Sequence, residues 1–374
     1  MSGAPTEAPA VLTCAECGEV ALPGERFCES CGAPLPGAGD TDPSPANDAA
    51  PGSDPPAAAA ATCASCGGRI AADGYCGTCG APAVRERDHW VERPVDWVAA
   101  VCDRGIRHHR NEDAVALAAE TGGGFAALVV CDGVSSARDS DVASLAAARA
   151  ARDVLTSGIG ERPSLAGRIS GWTERLTQAA AAANAAAIAA GEAAAATGDA
   201  TRDLPPNRFG WISPPSCTFV AAVVDGPVIV AGAVGDSRAY WLPDDGPAEQ
   251  LTVDDSWAAE QVAAGMPREV AEAAPEGHAI TRWLGADSPD HEPRCAATTP
   301  GSPGWLLVCS DGLWNYCSAA PDMARLVAGV AGVAGENGPD PARVAAGLVD
   351  WANAQGGQDN ITVALARVQG RTGD

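Results

Sequence analysis

The sequence predicts an α+β domain with a sheet-rich centre flanked by helices, preceded by two small cysteine-rich modules. From Asp96 onward, short apolar runs bounded by Gly, Pro or Asp alternate with longer helical stretches, and such runs are typical of strands. Asp225-Gly226 forms a tight turn between two of these runs, which indicates an antiparallel hairpin. Before residue 80, eight of the 14 cysteines stand in Cys-x-x-Cys pairs.

The paired cysteines predict two structural zinc sites, one Zn²⁺ in each module. Two cysteines three apart on a turn present both thiolates to one tetrahedral ion, and the Gly that follows each pair accepts a positive φ. Two such pairs close a four-sulfur site. The alternative interpretation is a redox dithiol or a disulfide framework. The predicted zinc ligands are Cys14, Cys17, Cys28 and Cys31 in the first module, and Cys63, Cys66, Cys76 and Cys79 in the second.

Composition divides the chain further. The modules resemble double zinc ribbons, which implies docking or tethering to a partner, and we assign them to residues 11–35 and 63–82. Residues 36–62 are rich in Pro, Ala, Gly, Asp and Ser, so they cannot bury enough apolar surface to order themselves and are predicted to be a disordered linker. Residues 83–94 are predicted to be a charged connector, and residues 95–369 the large domain.

Strands and helices follow from the apolar pattern of the large domain. Strands are predicted at 97–102, 125–131, 217–224, 228–234, 305–309 and 361–368. Helices are predicted at 141–155, 165–196, 256–264, 323–333 and 341–353. The six unpaired cysteines lie partly within apolar runs and are predicted to be buried thiols.

The charge of the chain excludes several classes of partner. The formal net charge is −24, from 48 acidic and 24 basic residues, and the sequence contains no lysine. Such a surface repels nucleic acid and anionic lipid, so neither nucleic-acid nor membrane binding is expected. No secretory signal and no run of 18 apolar residues is visible. We therefore expect a cytoplasmic protein, and the absence of lysine favours a bacterial source.

Acidic residues stand next to predicted strands throughout the large domain. Each one alone is explained by a turn or a helix cap. Together they predict a cluster of carboxylates that is stable only when it binds cations. Oxygen ligands without histidine select hard ions such as Mg²⁺ or Mn²⁺. The candidates are Glu112, Asp113, Asp132, Asp236, Asp311 and Asp359.

The order and spacing of these blocks resembles the protein phosphatase 2C (PPM-type) family from about residue 98 to residue 368. The resemblance implies a central β-sandwich of two antiparallel sheets with helices outside each sheet, and a phosphatase that hydrolyses phosphoserine and phosphothreonine with a water activated by two metal ions. The matching segments are Asp103-Arg104-Gly105, Asn111-Glu112-Asp113-Ala114, Asp132-Gly133, Gly235-Asp236-Ser237-Arg238, Thr281-Arg282-Trp283-Leu284-Gly285, Ser310-Asp311-Gly312 and Gln358-Asp359-Asn360-Ile361-Thr362.

The same resemblance implies roles for single residues. Asp132 bridges two Mn²⁺ or Mg²⁺ ions, with the Gly133 carbonyl on one of them. Asp311 and Asp359 complete the other ion. The remaining acids have lesser roles: Glu112 holds an ion directly or through water, Asp113 supports the site from its edge, and Asp236 matches a third, weaker metal position.

Three positions depart from the family pattern. His108 stands where the family usually has a phosphate-binding Arg, so Arg107 and His108 become the candidates for phosphate binding, and His108 is counted with the catalytic residues. Alternatively, His108 and His109 form an exposed polar turn. Val134 follows Gly133 where some members carry a histidine proposed as general acid, and His278 replaces a more usual Asn or Arg. Because no metal ligand is lost, we expect activity.

Two hypotheses of function remain. The first is a signalling phosphatase whose substrates are phosphoproteins, expected to come from a serine/threonine kinase, and whose cysteine modules bind an unknown protein. The second is a binding or scaffold protein in which the phosphatase-like domain is inactive. The complete acidic set favours the first.

Overall fold

The computed structural model describes residues 12–13, 20–21, 62–63, 66–71, 75–80, 83–158, 160–161, 164–196, 213–332 and 340–370. The chain divides into two compact units, Met1–Val84 and Arg85–Asp374. In the first unit, β1 (Leu12–Thr13) pairs with β2 (Val20–Ala21). Isolated bridges join Thr62 to Arg69 and Ile70 to Cys76. The cysteines of the first module lie outside the described residues, as does most of the predicted linker.

The second unit contains thirteen described strands and seven helices. The strands are β3 (His89–Val95), β4 (Val98–Asp103), β5 (Ala114–Ala119), β6 (Phe125–Cys131), β7 (Ser216–Cys217), β8 (Phe219–Asp225), β9 (Val228–Val234), β10 (Arg238–Pro243), β11 (Glu249–Gln250), β12 (Leu284–Gly285), β13 (Arg294–Thr298), β14 (Gly304–Cys309) and β15 (Ile361–Val368). The helices are α1 (Ser140–Thr156), α2 (Leu165–Ala196), α3 (Trp257–Ala263), α4 (Arg268–Glu272), α5 (Asp311–Trp314), α6 (Ala320–Gly332) and α7 (Pro341–Gln355).

Two antiparallel sheets form the centre of the unit. One has six strands in the order β11-β10-β14-β15-β4-β3, and the other has five in the order β13-β9-β8-β6-β5. Helices α1 and α2 pack on the five-stranded sheet, and α6 and α7 pack on the six-stranded sheet. The predicted four-layer arrangement of helices, two sheets and helices is therefore confirmed.

Strand periodicity explains the layers. Successive side chains of a strand point to opposite faces. In β6, Leu128 and Val130 join the apolar core between the sheets, whereas Val129 and Cys131 join the core beneath α1 and α2. The third core lies between the six-stranded sheet and α5–α7. Both faces of β6 are buried, so its sequence is a continuous apolar run rather than an alternating one.

The predicted connector is replaced by structure that belongs to the second unit. A short 3-10 helix covers Glu86–Asp88, and β3 pairs with β4 at the edge of the six-stranded sheet. The prediction of a connector at 83–94 was therefore wrong for most of its length. The charged residues Glu92 and Arg93 suggested a solvent-exposed segment. A strand needs only one buried face, however, and Trp90 and Val95 supply that face by packing against the core between the sheets.

Helix ends fit the local sequence. Helix α7 begins after Asp340, whose side chain accepts the Ala342 N–H at 3.2 Å, and it ends at Gly356 with φ 140°. Ser256 caps α3 by accepting the Ala259 N–H. Helix α2 is the one described helix long and apolar enough to cross a membrane by length and composition. Its buried face, which includes Trp172 and Leu176, packs into the core shared with α1 and the five-stranded sheet.

Candidate metal centre

The strand order brings the predicted acidic residues to one end of the sandwich. Asp132 directly follows β6, Asp236 follows the turn after β9, and Asp359 precedes β15. Glu112-Asp113 precedes β5, and Asp311 follows β14. The carboxylates lie close enough to interact, because the charges of Asp113, Asp311, Asp359 and Asp236 all raise the pKa of Asp132.

Burial raises the pKa values of the aspartates in this cluster, and neighbouring carboxylates add to the effect. Burial, and then neighbouring carboxylates, raise the pKa values of Asp132 and Asp311 well above the usual range for aspartate. Burial also raises the pKa of Asp113 to about 6 and that of Asp236 to about 7. The ionised cluster is therefore unfavourable on its own, and a bound cation would offset both the cost of burial and the repulsion between the carboxylates.

Glu112 is held by two donors to its side chain and by one acceptor of its backbone N–H. Its side chain is 4% exposed and accepts hydrogen bonds from Arg110 Nη2 at 2.6 Å and from the Ser140 hydroxyl. Its backbone N–H donates to Asn360 Oδ1 at 2.7 Å. These contacts fix the side chain beside the cluster, although Arg110 already neutralises part of its charge.

Two carboxylates each retain a buried oxygen without a hydrogen bond. Asp113 Oδ2 accepts from Ser310 Oγ at 2.6 Å and from Thr362 Oγ1 at 2.7 Å. Asp311 Oδ2 accepts from Asn315 Nδ2 at 3.0 Å. The Oδ1 atoms of Asp113 and Asp311 are buried and have no partner among the described residues. A buried acceptor left unpaired is costly, so both oxygens fit a cation.

Asp132 and Gly133 are placed by tight backbone contacts. The Thr218 N–H donates to the Asp132 carbonyl at 2.7 Å, and Thr218 Oγ1 accepts the Asp132 N–H at 3.0 Å. A Cβ atom on Gly133 would lie 2.7 Å from the Glu112 carbonyl oxygen. The close approach of Gly133 to Glu112 therefore requires glycine.

Asp236 lies on a turn that two neighbouring aspartates hold. The Gly235 N–H donates to Asp255 Oδ2 at 3.1 Å, and the Asp255 N–H donates to the Gly235 carbonyl at 2.8 Å. Asp254 pairs with buried Arg238 at 2.6 Å. Asp254 and Asp255 thus support both ends of the turn that carries Asp236.

The donor set fits hard cations shared over several carboxylates. All its members offer oxygen, as Mg²⁺ and Mn²⁺ prefer. In the described part of the chain, no three carboxylates have oxygen atoms all within 4.8 Å of one another. Oxygen ligands of one Mg²⁺ ion, each about 2.1 Å away, lie within about 4.2 Å of one another, so three carboxylates must move closer together to share an ion.

His108 lies inside the cluster, not on an exposed turn. Its Nε2 is 3.2 Å from Asp359 Oδ1, its Nδ1 is 3.9 Å from Glu112 Oε2, and its side chain is 25% exposed. Arg107 and His109 are exposed. The Arg107 N–H donates to the Gly357 carbonyl at 3.1 Å, and phosphate binding by its side chain stays a prediction.

Sequence reasoning missed the residues that orient the ligands. Ser140 on α1, Thr362 on β15 and Arg110 all contact a ligand side chain directly. Asn360 also links the start of β15 to the loop between β4 and β5, because its amide donates to the carbonyls of Arg104 and Arg110. Asn360 and Thr362 stood within a matching segment, but no role was predicted for either. The others are common polar residues, and only their position in the fold marks them.

The second cysteine module brings its four thiols together. Their sulfur atoms all lie within 4.8 Å of one another, with Cys63 3.6 Å from Cys79 and Cys66 3.5 Å from Cys76. The N–H groups of Gly68 and Thr78 donate to the sulfurs of Cys66 and Cys76, both at 3.4 Å. Gly67 and Gly80 each have φ 73°, as predicted for the residue after each pair. This arrangement fits a tetrahedral sulfur site.

Comparison with known proteins agrees with the geometry of the large unit. The family model described as Protein phosphatase 2C matches residues 105–352. Serine/threonine phosphatase stp of Listeria innocua is 29% identical over 272 residues, which cover 70% of this chain and 92% of that protein. Protein phosphatase PhpP of Streptococcus pneumoniae is 34% identical over 147 residues, covering 39% of this chain and 55% of that protein.

Solved structures show the same fold. The serine/threonine phosphatase of S. agalactiae superposes with a TM-score of 0.53 at 25% identity, over 75% of this chain and 100% of that one. The serine/threonine phosphatase PstP/Ppp of Mycobacterium tuberculosis gives a TM-score of 0.51 at 25% identity, over 75% of this chain and 99% of that one. A quarter of this chain thus has no counterpart in either structure.

Proposed function

Because the chain belongs to the protein phosphatase 2C family, we propose that it is a metal-dependent phosphatase that hydrolyses phosphoserine and phosphothreonine in proteins. The observation that carries this proposal is the buried acidic cluster at one end of the sandwich. Two of its carboxylate oxygens are buried without a partner in the described structure. Relatives named serine/threonine phosphatases support the substrate class.

The residues that would hold Mn²⁺ or Mg²⁺ are those that the resemblance implies. Asp132 would bridge two ions, with the Gly133 carbonyl and Glu112 on one side and Asp311 and Asp359 on the other. Asp236 would hold a third ion, and Asp113 would support the site. Bound cations activate water at neutral pH and offset charge on the phosphoryl oxygens.

The chain's own residues prepare the site for this chemistry. Ser310 and Thr362 donate hydrogen bonds to one oxygen of Asp113, which leaves the other oxygen available to the metal centre. Arg110 and Ser140 orient Glu112 in the same way. His108 can hold a proton at Nε2 and donate it to a phosphoryl oxygen beside Asp359.

A covalent cysteine intermediate is disfavoured. Cys131 adjoins Asp132 but is fully buried. Burial raises the pKa of its thiol well above the usual value, and the thiolate is the reactive form. Cys102, beside Asp113, is equally buried, and burial raises its pKa in the same way. Hydrolysis by water therefore fits these residues better.

We further propose that each cysteine module binds one Zn²⁺. The sulfur geometry of Cys63, Cys66, Cys76 and Cys79 supports this for the second module, and the repeated spacing supports it for the first. The modules would bind a protein partner, and the phosphatase would act in the cytoplasm on phosphoproteins made by a serine/threonine kinase. The acidic surface argues against nucleic acid and membrane as partners.

The test is phosphate release from matched peptides that carry phosphothreonine, phosphoserine or phosphotyrosine, each with Mn²⁺, with Mg²⁺ and with EDTA. We expect metal-dependent release from the first two peptides and little from the third. Folded protein that releases no phosphate with either metal would contradict the proposal and favour the scaffold hypothesis.

A further inference from the structure

The segment that follows the second cysteine module contacts the metal centre directly. Glu86–Asp88 forms the short 3-10 helix before β3, and it begins only seven residues after Cys79 in the sequence. The family model begins at residue 105. This segment is therefore absent from the part of the fold that the family model describes.

Arg87 makes the contact. Its Nη2 donates to the Asp113 carbonyl at 2.7 Å, and its Nη1 donates to the Asp141 carbonyl in the first turn of α1. The guanidinium carbon lies 5.5 Å from the centre of the Trp90 ring, which supports it from the side. One side chain thus joins the backbone of Asp113 to the helix that also carries Ser140.

The backbone of the same segment holds the other end of the three-residue block Asn111–Asp113. Asn111 Nδ2 donates to the Arg87 carbonyl at 2.9 Å, and the Arg104 N–H donates to the Asp88 carbonyl at 2.7 Å. Asn111 and Asp113 flank Glu112. The three-residue block is therefore held from both sides by a segment outside the matched family core.

We propose that Arg87 is a positioning residue that holds Asn111–Asp113 and the start of α1 in register for metal binding. The inference rests on the proposed function, because the block matters through its cations. Its guanidinium gives two charged donors to two carbonyls of different elements, which a lysine cannot match in geometry. Any change in the order of residues 85–88 would then reach the acidic cluster through Arg87.

The matched control is Arg93, which lies on the adjoining strand β3. Arg93 pairs with Asp96 at 3.1 Å and with Asp340 at 3.2 Å, and its side chain is 40% exposed. Arg93→Met therefore removes an arginine and its ion pairs from the adjoining strand without touching Asn111–Asp113. Arg87→Lys keeps the charge and part of the hydrogen bonding.

The test uses the full chain. In chelator-treated protein, we expect Arg87→Met to speed hydrogen–deuterium exchange across residues 110–114 by about ten-fold, as for the loss of a hydrogen bond from a charged group. The Mn²⁺ concentration for half-saturation should rise by about ten-fold, the lower end for a residue that supports a ligand. Arg87→Lys should be intermediate, and Arg93→Met should match the original protein.

Two results would overturn the inference. One is Arg87→Met protein with unchanged exchange and unchanged Mn²⁺ binding. The other is an equal effect of Arg93→Met, which would show a general loosening of β3. If Arg87→Met does not fold, the same comparison is made with Arg87→Lys. Hydrogen–deuterium exchange is measured without metal or substrate. It therefore tests the role of Arg87 even if the chain hydrolyses nothing, and so separately from the proposed function.

Discussion

His108 Nε2 lies 3.2 Å from Asp359 Oδ1, at the position where the family that the sequence resembles usually carries an arginine. Burial raises the pKa of Asp359, and the neighbouring His108 only partly opposes this effect. A histidine can thus take the place of the arginine next to the carboxylates.

Substitutions of His108 should change the affinity of the protein for phosphate. We expect His108→Ala to raise the inhibition constant of inorganic phosphate by about ten-fold, because a hydrogen bond to a charged group contributes about 1.5 kcal/mol. His108→Arg should lower that constant, since arginine binds phosphate through two parallel bonds. Product inhibition during peptide hydrolysis measures both. His109→Ala is the control, and an equal effect there would place phosphate binding outside the cluster.

Asp311→Asn should separate metal binding from stability. We expect hydrolysis to fall by more than about 100-fold, because loss of a residue that only supports a ligand already costs 10–100-fold. Without metal, the same variant should unfold at a higher temperature than the original protein, since a buried carboxylate among like charges is removed. Calorimetry in EDTA measures this midpoint.

Asp350→Asn is the control for that comparison. Asp350 is exposed on α7, so its exchange removes one carboxylate without relieving the cluster. Equal midpoints for Asp311→Asn and the original protein would show that the cluster carries little repulsion.

The stability of the metal-free large unit should fall as the pH rises. Burial raises the pKa of Asp113 to about 6 and of Asp236 to about 7, above the value near 4 of an unfolded aspartate. Between pH ~4 and ~7 the folded state therefore holds protons that the unfolded state releases, and stability is lost across this window. Saturating Mn²⁺ should remove the trend.

Tryptophan fluorescence can follow this transition in the full chain. All ten tryptophans lie at or after residue 90, so the cysteine modules do not contribute to the signal. In EDTA, we expect a lower thermal midpoint at pH 7.5 than at pH 5.5. A midpoint that rises with pH would contradict the account of the buried carboxylates.

Gly133→Ala should impair the centre through backbone displacement. The added Cβ would lie 2.7 Å from the Glu112 carbonyl oxygen and 2.9 Å from the Glu112 Cβ. We expect Mn²⁺ affinity to fall by about ten-fold or more, as when a ligand loses its support. Gly329→Ala on α6 meets nothing within 4 Å and should leave Mn²⁺ binding unchanged. A normal Mn²⁺ titration of Gly133→Ala would show that Glu112 can shift freely.

Cys63→Ser should cost one bound zinc and leave catalysis intact. Zinc binding supplies the folding free energy of so small a module, and the module belongs to a separate unit from the acidic cluster. Elemental analysis should find one Zn²⁺ fewer per chain, while hydrolysis of p-nitrophenyl phosphate and the tryptophan-detected midpoint stay unchanged. Cys295 lies outside the modules, so Cys295→Ser protein should contain as much zinc as the original protein. Unchanged zinc content in Cys63→Ser would contradict the proposed site.

The sequence was sufficient for much of the fold. Helix α2 has the predicted bounds, and every predicted strand and helix appears within a few residues. The apolar strands were visible because both their faces are buried. Strands β5, β10 and β13 were missed, since β5 and β13 lie at sheet edges with partly exposed residues and β10 begins with Arg238. Pairing with Asp254 at 2.6 Å and with Glu272 at 3.3 Å allows that arginine to be buried.

The clustering of the acidic residues was predictable from the sequence, but the contacts that support them were not. Asp132 and Asp311 follow strands, so their clustering followed from the fold. The connector was the main error, because residues 85–95 have a polar sequence and their order comes from contacts made far along the chain. Arg87 meets Asp113 and Asp141 only after α1 and β5 are in place. Sequence spacing cannot show such a contact.

One titration tests the central claim most directly. Mn²⁺ is added to the metal-free full chain, free Mn²⁺ is measured by electron paramagnetic resonance, and phosphate release from a phosphothreonine peptide is measured in the same samples. We predict that the rate rises with the occupancy of the acidic cluster and that Asp132→Asn abolishes both. Full hydrolysis without bound metal, or full occupancy without hydrolysis, would contradict the account.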